Sequence, residues 1–190
     1  MRTLLISLKI LLFFTVLTGI IYPLLVTGVA QLAFPRKANG SMVVIGTRTV
    51  GSELIGQQFD SAIYFHSRPS AISYNPMPSG GSNLGPVSAR LKDLAFSRME
   101  TFRMVNHLDS AEKVPSDMLF ASASGLDPHI SVRSALLQAE RVSLARNHQP
   151  EEHAQLVRLI HKLAEPPQFY VLGEERVNVL LLNLETDKIR

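Results

Sequence analysis

The chain has 190 residues and contains no cysteine and no tryptophan. Without cysteine there can be no disulfide framework, thiolate zinc site, thiol nucleophile or lipidated cysteine anchor. This is compatible with any redox compartment. The nucleotide-binding and hydrolase signatures G-x-x-x-x-G-K-[ST], G-x-G-x-x-G and G-x-S-x-G are missing, as is H-E-x-x-H. His153 and His161 are eight residues apart on an expected helix. At ~1.5 Å per residue that is roughly 12 Å, too far to share a zinc ion. His148, His153 and His161 therefore read as solvated surface residues. The acid pairs Glu151/Glu152 and Glu174/Glu175 read as a helix start and a turn. A basic surplus is also lacking. The formal charge is +3, and beyond residue 35 there are 17 Lys+Arg against 16 Asp+Glu, which is no nucleic-acid footprint.

The most local absence is of charge between Ile10 and Phe34, a run of 25 residues of which 18 are apolar. As a helix it reaches about 37 Å at ~1.5 Å per residue, against ~30 Å of hydrocarbon. Arg2 and Lys9 flank one end; Pro35, Arg36 and Lys37 stop the other. The run is longer than the ~7–15 apolar residues of a secretory signal, so an uncleaved anchor is expected, although Gly28-Val29-Ala30 resembles a cleavage site. Pro23 in mid-span kinks the helix. Gly19, Gly28, Thr15, Thr18 and Thr27 offer small surfaces to another membrane helix. The flanking charges favour a cytoplasmic N-terminus only slightly. The expected organisation is a short tail (1–9), a transmembrane helix (10–34) and a soluble domain (35–190), most naturally extracytoplasmic.

About 41% of residues 35–190 are apolar, enough for a core. Ser41–Glu53 predicts two short strands and Gln58–Phe65 a further extended piece. Four prolines and three glycines between Pro69 and Pro86 predict a long, ordered loop. Helices are expected over Pro86–Leu108, from the cap Ser131 to near Asn147, and from Pro150 to Pro166. Val114–Ala123 reads as extended. Phe169–Leu172 and Val177–Leu182 read as a closing hairpin, with Asn178 and Asn183 in need of partners. The fold class is α+β.

Three segments stand out. Tyr64-Phe-His-Ser-Arg-Pro-Ser70 continues through Tyr74-Asn-Pro76 to Ser79-Gly-Gly-Ser-Asn-Leu-Gly-Pro86, and reads as a connector or as a shaped loop meeting a partner or an anion. In Ala121-Ser-Ala-Ser-Gly-Leu-Asp-Pro-His-Ile-Ser131, small residues let another backbone come close and Gly125 can take a positive φ. The third is Gly173-Glu174 followed by Val177–Asn183. Ser124 and His129 make a hydrolase conceivable, without an evident third member. The long loop leaves an extracytoplasmic binding domain open as well.

In this order, the Tyr22-Pro23 span, Asn39-Gly-Ser41, Leu54-Ile-Gly-Gln57, YFHSRPSA, YNP, SGGSNLGP, VPSDM, ASASGLDPHIS, Gln138 with Arg141-Val142 and Arg146, and GEERVNVLLLNLETD resemble the C subunit of the bacterial high-affinity potassium-transporting P-type ATPase, the Kdp complex. Glu175 stands where that family usually has proline, and Leu181 where a polar residue is common. The resemblance implies a non-catalytic subunit in the cell's inner membrane that stabilises the complex and acts as a catalytic chaperone, raising the hydrolytic subunit's ATP affinity. It implies as partners that ATP-hydrolysing subunit, a channel-like potassium-binding subunit and the bilayer. Potassium is then the transported ion, not a ligand of this chain. Gln138 and the run Ser79, Gly80, Gly81, Ser82 become the nucleotide-linked candidates, through the complex if the domain lies outside. Gly19, Pro23 and Gly28 become helix-packing residues. Tyr64, His66, Arg68, Asn83, Ser124 and Asp127 become candidates for a partner interface.

Overall fold

The computed structural model describes residues 1–189 and divides the chain into two compact units, Met1–Val50 and a second beginning at Gly51.

The first unit is dominated by one helical rod, Arg2–Ala33, the one helix among the described residues long and apolar enough to cross a membrane. It comprises α1 (Arg2–Val16), a π-helical turn (Leu17–Ile21) and α2 (Tyr22–Ala33). Residues 2–9 are thus helical. The widened turn lies just before Pro23, which has no N–H to give the Gly19 carbonyl and whose ring crowds it. Instead Tyr22 N–H donates to Leu17 O, one residue further back than in an α-helix. Thr15 and Thr18 donate their hydroxyls to Leu11 and Phe14 carbonyls at 2.8 and 2.7 Å, so neither hydroxyl is left unpaired on an apolar surface. A short turn α3 (Pro35–Ala38) follows, then the hairpin β1 (Met42–Ile45) and β2 (Arg48–Ser52), as the β-rich sequence predicts.

The second unit is built on α4 (Ala89–Val105), α5 (Ser116–Leu119), α6 (Val132–Ala145), α7 (Pro150–Leu163) and α8 (Val179–Thr186), with a two-stranded antiparallel pair, β3 (His129–Ser131) and β4 (Arg176–Asn178). The fold is α+β behind an apolar helix. Local chemistry sets the helix starts. Ser88 accepts from Leu91 N–H (3.4 Å) and Ser131 from Ser134 N–H (3.1 Å), while the Glu152 carboxylate accepts from Gln149 N–H at 2.7 Å. Ala135, Ala139 and Val142 of α6 meet Leu156 and Ile160 of α7, with Phe65, Ile130, Val177 and Leu182 completing the core. Each large apolar side chain buried there contributes roughly 1.5–3 kcal/mol.

Three expectations are corrected. Gln58–Phe65 forms no strand. Val114–Ala123 contains one helical turn, because Pro115 is pre-set to precede a helix and Asp117 sits in its first turn. The closing hairpin does not form either. Residues 168–172 make a tight turn of their own, and Val177 pairs with Ile130 across the β3–β4 register. Val179–Thr186 is a helix: Asn178 Oδ1 accepts from Leu181 N–H at 3.2 Å and starts it as an N-cap. A short apolar run suits strand and helix equally, and the cap decided between them.

Candidate functional site

The YFHSRPS loop and the two residues before it are held by four polar side chains, from α6, its C-cap Arg146 and α8. Gln138 is 0% exposed. Its Oε1 accepts from His66 N–H at 2.7 Å and its Nε2 donates to the His66 carbonyl at 3.3 Å. Asn183 does the same one residue earlier, accepting from Phe65 N–H at 2.7 Å and donating to Phe65 O at 3.0 Å. The backbone groups of two consecutive residues that join no sheet are thereby paired inside the protein, as buried backbone requires. One turn on, Arg141 donates to Asn106 Oδ1 (2.9 Å), Ala62 O (2.5 Å) and Gln138 Oε1 (3.0 Å). All three acceptors are neutral, and burial lowers the guanidinium to about 10. Arg146 donates to Ile63 O and to Asp187 Oδ1, both at 2.7 Å, and lies 5.3 Å over the Tyr64 ring. Burial, with the Arg141 charge beside it, holds the His66 imidazole below its ordinary value.

The upper side of the loop meets the small-residue segment before α6. Arg68 pairs with Asp127 at 2.7 Å. Ser70 Oγ donates to Gly125 O at 2.7 Å, Gly80 N–H to Ser124 O at 3.0 Å, and Gly56 N–H to Leu126 O at 2.7 Å. At two of these crossings, Gly56 and Gly125, the absence of a side chain is what permits the approach. A Cβ on Gly56 would lie 2.6 Å from Asp127 O. One on Gly125, at φ +70°, would lie 2.6 Å from Ile72 and 2.8 Å from Gly80 O. Burial opposes ionisation of Asp127, but the side-chain and backbone donors of His129 and the Arg68 charge outweigh it and bring its carboxyl to about 2. Tyr74 donates its hydroxyl to the Arg68 carbonyl, and burial raises the phenol to about 12. Beside this junction opens a cleft of about 760 Å³, lined by Leu54, Ile55, the segment 122–124 and Leu126–Pro128. Two of the three segments that stand out in the sequence, YFHSRPS–SGGS and ASASGLDPH, are therefore a single cluster, together with the Leu54–Gln57 motif.

The expected site residues divide between two places. Gln138 and His66 belong to the buried clamp, with Tyr64 beside it. Arg68, Gly80, Gly81, Ser124 and Asp127 belong to the junction, with Ser79, Ser82 and Asn83 exposed at its margin. Gly19 and Gly28 have no atom within 4 Å of a built Cβ. Ser124 Oγ accepts from Leu126 N–H, while the His129 ring lies 3.4 Å from Asp127 and 3.8 Å from Glu165, so these two do not form a nucleophile–base pair. Among the described residues no group of three or more His, Asp or Glu side chains is placed to hold a metal ion. His148 and His153 are half-buried, contrary to the expectation of solvated residues, because both turn toward Ser143 Oγ, at 3.4 and 2.9 Å. Sequence reasoning did not assign the partner of Asn183, or Asp117, whose carboxylate accepts from the Ser131 N–H and the Ser134 hydroxyl. Its only hint of the first was that a core asparagine must be paired.

An α+β domain behind one apolar helix, with its polar residues engaged in shaping loops, has the build of a single-pass membrane subunit. Residues 4–188 match the family model described as the K+-transporting ATPase, c chain. Among curated relatives, the potassium-transporting ATPase KdpC subunit of Myxococcus xanthus is 51% identical over 176 residues, covering 91% of this chain and 82% of that one. The subunit of the same name from Photorhabdus laumondii is 47% identical over 186 residues (96% and 94%), and that of Mycobacterium tuberculosis 46% over 190 (99% and 99%). The chain belongs to this family of potassium-transporting ATPase subunits.

Proposed function

We propose that the chain is the non-catalytic accessory subunit of an ATP-driven, high-affinity potassium importer, that it stabilises the assembly, and that it raises the ATP affinity of the hydrolytic subunit as a catalytic chaperone. Its partners are that subunit and the channel-like subunit that binds potassium. It sits in the bacterial inner membrane with its N-terminus in the cytoplasm and residues 35–190 outside. The observation that carries this reading is the match of residues 4–188 to the ATPase c-chain family; Gln138 bears on how a link to nucleotide would run. The side chain is 0% exposed and both ends of its amide are engaged. A link between Gln138 and nucleotide therefore runs through the position of the His66 loop and the subunit it touches, as a coupling free energy between distant sites.

Purification of the pump with and without this chain tests the proposal. With the chain present, the complex is expected to survive detergent and its KM for ATP to fall. An intact pump with an unchanged KM in its absence overturns it. A reporter fused after Arg190 and active outside the cell supports coupling across the membrane; activity in the cytoplasm replaces that coupling with direct contact.

A further inference from the structure

The four residues Phe169, Tyr170, Val171 and Leu172 are 86, 85, 79 and 60% exposed, the longest run of exposed apolar side chains beyond the membrane-spanning helix. Exposed apolar residues scattered singly are ordinary, whereas a contiguous set marks a contact surface. This one is built. Pro166 and Pro167 stiffen its entry. Gln168 and Leu172 exchange both backbone hydrogen bonds at 2.9 Å, and Tyr170 N–H donates to Pro167 O at 2.9 Å. Below the turn, Glu165 and Arg176 exchange backbone bonds at 2.8 and 3.2 Å and pair through their side chains at 3.1 Å. Phe169 and Tyr170 both take left-handed φ, 54° and 60°, a region that bulky residues avoid. The chain thus holds two aromatic rings away from its own core, in an unfavourable backbone state, with little of either residue buried in return.

The base of the turn says what covers it. Glu165–Glu175 contains three carboxylates and no cation. Glu165 is paired with Arg176, and Glu174 and Glu175 are exposed with no ion pair among the described residues. An anionic bilayer surface repels such a base. A protein socket with an apolar floor and a basic rim fits both parts, the aromatics as anchors and the carboxylates as rim contacts. We propose that the Phe169–Leu172 turn is a docking plug that enters a basic-rimmed apolar socket on another subunit of the same pump. This rests on the assembly reading above.

The test uses the full chain in the assembled pump. A photo-crosslinking residue replaces Tyr170, and F169S/Y170S and E174K/E175K are compared with the unaltered chain for co-purification and thermal melting. Expected are a crosslink to another subunit, about tenfold weaker association of F169S/Y170S, as for truncated interface anchors, weaker association of E174K/E175K, and unchanged melting of the free variant chains. Unchanged association of both variants overturns the inference alone. So does a crosslink into lipid with E174K/E175K tightening on phosphatidylglycerol vesicles. If the unaltered chain does not associate, the assembly reading falls and the plug with it.

Discussion

Asn183 brackets the Phe65 peptide, its amide oxygen taking the N–H and its amide nitrogen giving to the carbonyl, across 118 residues of sequence. Asn183 is 1% exposed, and Phe65 is fully buried. Asn183→Ala leaves both backbone groups of Phe65 without partners. The expected loss is roughly 2–4 kcal/mol, the desolvation penalty of two buried groups. Denaturant unfolding of the detergent-solubilised chain, followed by far-UV circular dichroism, measures it. A loss below about 0.5 kcal/mol would mean that water replaces the amide.

Two glycines separate crowding from backbone strain. Gly125 has both a positive φ and neighbours inside 3.0 Å of a built Cβ, while Gly173 has a positive φ (+92°) and open space. Gly125→Ala is expected to destabilise by roughly 2–4 kcal/mol, since overpacking adds to strain. Gly173→Ala is expected to lose about 1 kcal/mol. The same unfolding experiment ranks them, and equal losses would refute the close crossing of residues 80 and 125.

The Asp127 carboxylate, hydrogen-bonded by His129 and paired with Arg68, predicts an acid limb in the stability profile. Asp127 is held at about 2, below the ordinary carboxylate value of 3.8. Because the folded value is depressed, the contribution is present above pH 4 and is lost as pH falls from 4 toward 2. Asp127→Asn is expected to lower stability at pH 7 and to flatten the profile between pH 4 and 2. Thermal melts across that range read both effects.

In the membrane helix, a Cβ on Gly19 or Gly28 has no atom within 4 Å beyond the local helix backbone. Gly19→Ile and Gly28→Ile are therefore expected to leave the helicity of the purified chain unchanged. Loss of co-purification with the pump would then report a helix partner at that position. Full retention would assign the glycines to the geometry around Pro23 instead.

Much of the second unit was legible beforehand. Ser131 marked the start of α6 and Pro150 that of α7, because caps and first-turn preferences act over three or four residues. The close crossing near Gly125 was also foreseeable in kind, since small residues let another backbone approach and glycine can take a positive φ. The clamp was not legible in full. Gln138 and His66 are 72 residues apart, and no local pattern marks an amide that will bracket a distant peptide.

The sequence by itself determined an apolar span interrupted at Pro23, the α+β class, the starts of α6 and α7 and the family, all carried by composition and short-range chemistry. Tertiary structure decided that Val177 lies against Ile130, and that Gln138 and Asn183 serve the loop from within. Those outcomes depend on which distant backbone group is left unpaired in the core, and a buried polar group accepts whichever partner the packing brings to it.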